Sequence, residues 1–157
     1  MKIVSLYKNI YYILIIVSIS AIDYIVKNII FNNFHQNQIF YINKFINIKY
    51  LHNYGISLGL LNYKNNFYYI FFLVFYLIIF IKTIKIIFIF DICFSIIVGG
   101  IIGNILDRII HGFIIDFIDL HIYQLHIPIF NLADLFIFTG TIIKIINLLL
   151  KKEREFK

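Results

Sequence analysis

Cysteine, proline, tryptophan and charge are all scarce in this sequence. Cys93 stands alone in an apolar run, which excludes an internal disulfide framework and a cysteine-based metal centre and leaves a small buried or lipid-facing residue. There is one proline and no tryptophan, and arginine occurs only at Arg108 and Arg154. No Gly/Ser linker or internal repeat marks a second domain, so residues 1–157 read as a single domain. Charged residues make up 14% of the chain, against roughly 25% in soluble domains, and hydrophobic residues make up 62%. An ordinary soluble domain is thereby excluded, and lipid is the solvent that accepts so much apolar surface.

What is abundant is Ile, Phe, Tyr, Asn and Lys, the signature of an AT-rich codon bias. Against that background the seven glycines are informative, and four of them fall between Gly99 and Gly112. The net charge of +6 does not indicate nucleic acid, because the basic residues sit between apolar runs and form no basic surface.

A hydrocarbon core about 30 Å thick takes roughly 20 helical residues. Four segments qualify, at about 10–31, 67–83, 86–106 and 131–150, and predict an all-α integral membrane protein with four transmembrane helices and a small extracytoplasmic β-containing loop region. The first segment has the basic start and small residues (Ser18, Ser20, Ala21) of a cleaved signal peptide, but its apolar character runs on to Phe31, long for a signal sequence. Lys2, Lys8, Lys82, Lys85, Lys151, Lys152, Arg154 and Lys157 flank one set of span ends, and the lysines of the opposite loops are Lys44, Lys49 and Lys64 alone. The basic side is cytoplasmic, which puts both termini inside and the loops at 32–66 and 107–130 outside. Alternation at Ile46, Ile48 and Tyr50 predicts a short β-structure in the first outer loop.

Ionisable groups inside such spans are costly and mark candidate sites. Asp23 and Lys27 share a helix face at i, i+4; the spacing suits a structural ion pair as well as chemistry, and favours a role in folding. Asp91 and Lys144 can snorkel to the cytoplasmic side and receive no role. Gly99 and Gly103 form a small-xxx-small face for a close helix crossing, and Asn104, Asp107 and Arg108 project from the next turn. Asp107 by itself reads equally as an ion-paired helix end. Asn131 suits the N-cap of the last span, with Asp134 in its first turn, where the helix dipole favours a carboxylate. Asp107, Asp116, Asp119 and Asp134 thus gather at one membrane face, with no metal-like spacing of His or Cys among them; His121 and His126 read as hydrogen-bonded surface residues. Carboxylates that converge without a metal suggest acid/base chemistry on water.

These residues resemble a known family, the lipoprotein signal peptidases (signal peptidase II), aspartic peptidases of the bacterial cytoplasmic membrane. Asp23 to Lys27 resembles its D-x-x-x-K, Asn53-Tyr54-Gly55 its N-x-G, Gly99 to Arg108 its G-G-x-x-G-N-x-x-D-R, Ile115-Asp116-Phe117 its V-D-F, and Phe130 to Asp134 its F-N-x-A-D. Five motifs in order cover nearly the whole chain. Leu58 and Leu135 depart from the pattern, standing where the family usually has Phe and Ser. The resemblance implies that Asp116 and Asp134 are the catalytic dyad. It implies further that Asn53, Gly55, Asn104, Arg108 and Asn131 bind substrate or hold the aspartates, and that Asp23 and Lys27 support the site.

The implied reaction is hydrolysis without a covalent intermediate, cofactor or metal, at the extracytoplasmic face. The implied partners are diacylglyceryl-modified prolipoproteins and membrane lipids, with no nucleic acid, and the protein is expected to act as a monomer. The rival reading is a non-enzymatic membrane protein, a transporter subunit or scaffold, whose aspartates form a proton or cation path. It requires carboxylates spread through the membrane depth, whereas these collect at one face.

Overall fold

The computed structural model describes residues 2–54 and 91–155. Three helices, α1 (Lys2–Asn33), α2 (Ile92–His111) and α3 (Leu132–Glu155), are joined to four strands, β1 (Ile39–Asn43), β2 (Ile46–Asn53), β3 (Ile114–Ile122) and β4 (Leu125–His126). The strands form one sheet in the order β1-β2-β3-β4, antiparallel throughout. The all-α expectation with four transmembrane helices is therefore corrected. Three helices among the described residues are long and apolar enough to cross a membrane, within Tyr7–Asn33, Ile92–His111 and Leu132–Lys152, and a sheet accompanies them. The span expected at 67–83 lies outside the described residues, as does the start of the one expected at 86–106.

The helices follow from lipid as solvent. Ile- and Phe-rich runs have modest intrinsic helix propensity, but a backbone away from water must satisfy its own polar groups, and a helix does so within one segment. Asp91 starts α2 as N-cap, its Oδ1 accepting the Phe94 N–H at 3.0 Å, and also pairs with Lys144 of α3. Gly112 ends α2 at φ 80°, a left-handed conformation that glycine adopts without a Cβ penalty, and its N–H donates to the Arg108 carbonyl.

Helix α2 is wedged between α1 and α3. A Cβ on Gly103 would stand 2.5 Å from Asp23 Oδ2, so the crossing with α1 is closer than any other residue allows. Large apolar side chains of α1 (Leu14, Val17, Ile25, Ile29) and α3 (Phe138, Ile142, Ile145, Leu149) are exposed, the outward face that a bilayer would cover.

Asn43 shapes the β1–β2 turn by accepting the Phe45 and Ile46 N–H groups on its side-chain oxygen, at 2.8 and 3.0 Å. Tyr50, Ile115 and Phe117 from the sheet are buried together with Ile30 of α1, and this cluster seats the sheet on the helix ends. Strand β3 runs through what sequence reads as a loop. On each of its faces an aspartate interrupts the apolar alternation, Asp116 on one and Asp119 on the other, so the period-two pattern is broken wherever a carboxylate has a tertiary partner.

Candidate active site

The site is assembled where α2 ends, α3 begins and β3 crosses between them. Asn131 caps α3: its Oδ1 accepts the Asp134 N–H at 2.9 Å, and Asp134 Oδ2 accepts the Asn131 N–H at 3.3 Å. This reciprocal box satisfies two orphan donors of the first helical turn and fixes the Asp134 rotamer. The other carboxylate oxygen, Oδ1, accepts from Asn104 Nδ2 at 2.8 Å.

Asp116 lies within β3, opposite Leu51 of β2, and is 3% exposed. Its Oδ1 accepts from Asn131 Nδ2 at 2.7 Å and its Oδ2 from Asn53 Nδ2 at 2.8 Å. Asn131 therefore touches both aspartates, one through each end of its amide. Burial raises the Asp116 carboxyl to about 7, and the charge of Asp134 adds to the rise; the Asn53 and Asn131 hydrogen bonds and the Lys27 charge offset only part of it.

Beneath the two aspartates lies a buried ionic cluster. Lys27 Nζ is 2.7 Å from Asp23 Oδ2 and 2.9 Å from Asp107 Oδ2, and all three side chains are at most 1% exposed. The ammonium also donates to Asn104 Oδ1 at 2.8 Å, and that oxygen accepts from Asn131 Nδ2 as well, at 3.1 Å. Each carboxylate of the cluster holds a backbone N–H beside one of the paired aspartates. Asp107 Oδ2 accepts from Ile115 N at 3.0 Å, and Asp23 Oδ1 accepts from Ala133 N at 2.8 Å. Lys27, through its two counter-ions, thus ties down the residues immediately before Asp116 and Asp134.

Of the residues marked in the sequence, Asp23, Lys27, Asn53, Asn104, Asp116, Asn131 and Asp134 join this one network. Arg108 is buried at the end of α2. Gly55 and Leu58 lie outside the described residues. Leu135 is exposed on α3, and its N–H donates to the Asn131 carbonyl. Asp107 belongs with the site more closely than spacing suggested; its place one turn beyond Asn104 was the available signal, but its partner Lys27 is remote in sequence. Asp119 is not part of the network: it faces Asn47 and His126. Burial works to raise its carboxyl, and the hydrogen bonds from His126 and Asn47 outweigh this and hold it below the ordinary value.

Comparison with known proteins places this geometry. The family model for signal peptidase (SPase) II matches residues 15–150. The lipoprotein signal peptidase of Wigglesworthia glossinidia brevipalpis is 42% identical over 145 residues, covering 85% of this chain and 91% of that protein. That of Buchnera aphidicola subsp. Schizaphis graminum is 38% identical over 141 residues, covering 83% and 88%. Among solved structures, a bacterial membrane enzyme determined by the in meso method at 2.3 Å resolution superposes with a TM-score of 0.77 at 29% identity, covering 92% of this chain and 90% of that one. A second, at 1.9 Å resolution, gives 0.72 at 32% identity, covering 88% and 92%.

Proposed function

Because the chain belongs to the signal peptidase II family, membrane proteases that remove signal peptides from lipoproteins, we propose that it works as an aspartic peptidase with Asp116 and Asp134 as the catalytic pair. The observation that carries this reading is the Asn131 amide, which donates to Asp116 and caps the N–H of Asp134, so that two carboxylates share one buried polar anchor.

The two carboxyls sit in unlike surroundings, which supports unlike roles. Asp116, desolvated and within the electrostatic influence of Asp134, keeps its proton near neutral pH and is the acid. Asp134, in the first turn of α3 at the positive end of the helix dipole, is the base. Asp134 takes a proton from water as the water oxygen attacks the scissile carbonyl. Asp116 donates a hydrogen bond to that carbonyl oxygen as negative charge develops there. On collapse the C–N bond breaks and a proton passes to the leaving amine. Asn53, Asn104 and Asn131 orient the two aspartates, and Gly55 and Arg108 join them as substrate-binding or supporting residues. Lys27, Asp23 and Asp107 hold the frame.

The substrate is a prolipoprotein carrying diacylglycerol on the cysteine after the cleavage point, handled by a monomer at the extracytoplasmic face with membrane lipids around it and no nucleic acid. No cofactor takes part in these steps.

The test is cleavage of a diacylglyceryl-modified prolipoprotein by the purified protein. Asp116→Asn and Asp134→Asn should each lower the rate at least ~100-fold while membrane insertion is kept, since an amide can neither take water's proton nor share one. The double variant should be hardly slower than either single one, as for groups that act as a unit. Retained cleavage in both single variants overturns the aspartic assignment. Loss on Asp119→Asn with retention on Asp116→Asn would give the role to Asp119.

A further inference from the structure

On the face of the sheet opposite Asp116 there is a second cluster of chemically competent side chains. In a strand, residues two apart share a face, so Asp119 and His121 of β3 point the same way. His126 of β4 is the direct cross-strand partner of His121. The two imidazoles lie nearly parallel with ring centroids 4.9 Å apart. One nitrogen of each histidine and one oxygen of Asp119 all lie within 4.8 Å of one another.

We propose that Asp119, His121 and His126 form a binding site for a divalent transition-metal ion, Zn²⁺ by ligand type, separate from the two aspartates of the active site. Two imidazoles and one carboxylate are a donor set that suits such an ion and leaves a fourth position for water.

Side-chain rotation closes the geometry. Ligand atoms around a tetrahedral Zn²⁺ are about 3.3 Å apart, given metal–ligand bonds of about 2.0–2.1 Å. His126 Nδ1 and Asp119 Oδ1 now share a hydrogen bond at 2.7 Å, so this pair must part by about 0.6 Å while the third donor, within 4.8 Å of the others, draws in by up to about 1.5 Å. The His126 side chain is 50% exposed and has room to move, whereas Asp119 is buried and held. What holds it is Asn47 of β2, whose Nδ2 donates to Asp119 Oδ2 at 3.2 Å and lies 3.5 Å from His121 Nδ1. A single amide thus orients two of the three donors, as outer groups do in metal sites. The Asn47 oxygen is buried without a hydrogen-bond partner among the described residues, an acceptor that a metal-bound water would satisfy.

Asp119 and His126 also border a cleft with Lys49, Leu51, Ile127, Pro128 and Ile129, which gives an ion a path in from water. Lys49 there works against a cation, and the paired charge of Asp119 works for one. A bound ion would join β3 to the short β4, the strand from which the chain runs on through Phe130, bridged to Ile118, to the Asn131 cap. The site would therefore brace the outer sheet without entering the reaction.

Co²⁺ titration of the metal-free full-length protein in detergent, with any polyhistidine tag removed, tests this. Expected are one ion per chain with the visible absorption bands of a tetrahedral site, displacement by Zn²⁺, and a rise in the thermal unfolding midpoint on adding Zn²⁺. His126→Ala and His121→Ala, checked for folding by circular dichroism, should each weaken binding about tenfold or more, and peptidase activity should persist in excess chelator. Absence of saturable binding at millimolar Co²⁺, or equal binding in the wild type and both variants, overturns the site.

Discussion

The proton on Asp116 is the property of a single residue that most directly controls this chemistry. Its carboxyl is raised from the ordinary 3.8 to about 7, first by burial and then by Asp134. Activity that needs the protonated acid should fall as pH rises through about 7, tenfold per unit beyond it, in a kcat/KM profile that reports the free enzyme. A profile that stays flat or climbs from pH 6 to pH 9 would contradict that assignment. Stability follows the same sign. A group whose folded pKa is raised contributes stability that is fully present below its unfolded value and lost as pH passes the folded one. Between pH 4 and pH 8 the fold should therefore lose up to about 4 kcal/mol on this account. Asp116→Asn, which cannot ionise, should flatten that part of the dependence of the unfolding midpoint on pH.

Among the elements, α2 carries the tightest fit. Gly103 faces Asp23 so closely that an added Cβ would stand 2.5 Å from a carboxylate oxygen. The same aspartate pairs with Lys27 and holds the Ala133 N–H one residue before Asp134. Gly103→Ala should cost about 1–3 kcal/mol of stability through overpacking, and should slow cleavage even at temperatures where the variant is folded, because Asp23 must move. Thermal unfolding in detergent and an activity assay well below the midpoint check the two parts. An unchanged midpoint with unchanged activity would mean that the α1–α2 crossing relaxes without disturbing the ionic cluster. Strand β3 matters in the same way, since Asp107 pins its Ile115 N–H and β2 supplies Asn53 from the other side.

Among the described residues, the sheet and the paired aspartates share one end of the helices, and Lys2, Lys8, Lys151, Lys152 and Arg154 lie towards the other. That asymmetry leads to the proposal that both termini are cytoplasmic and the sheet is outside. A reporter active only in the cytoplasm, fused after Lys157, should be active, and one active only after export should be silent; the reverse pattern would invert the topology. The sequence by itself determined that lipid is the solvent, because 62% hydrophobic residues with 14% charged cannot be buried in a chain of this length. It also marked Asp23, Lys27, Asn104 and Asp107 as polar groups at span ends, whereas Asn53 and the choice of Asp116 with Asp134 came from the resemblance of its motifs to the family. Only the tertiary structure decided who partners whom. Lys27 finds Asp107 and Asn104, Asn131 spans both aspartates, and Asp119 turns away towards two histidines, all through contacts between elements distant in sequence. Strand β3 belongs with these, and so does the correction from an all-α fold. Its aspartates break the alternation that would announce a strand, and they are tolerated there because hydrogen bonds from other elements satisfy them, which no local pattern records.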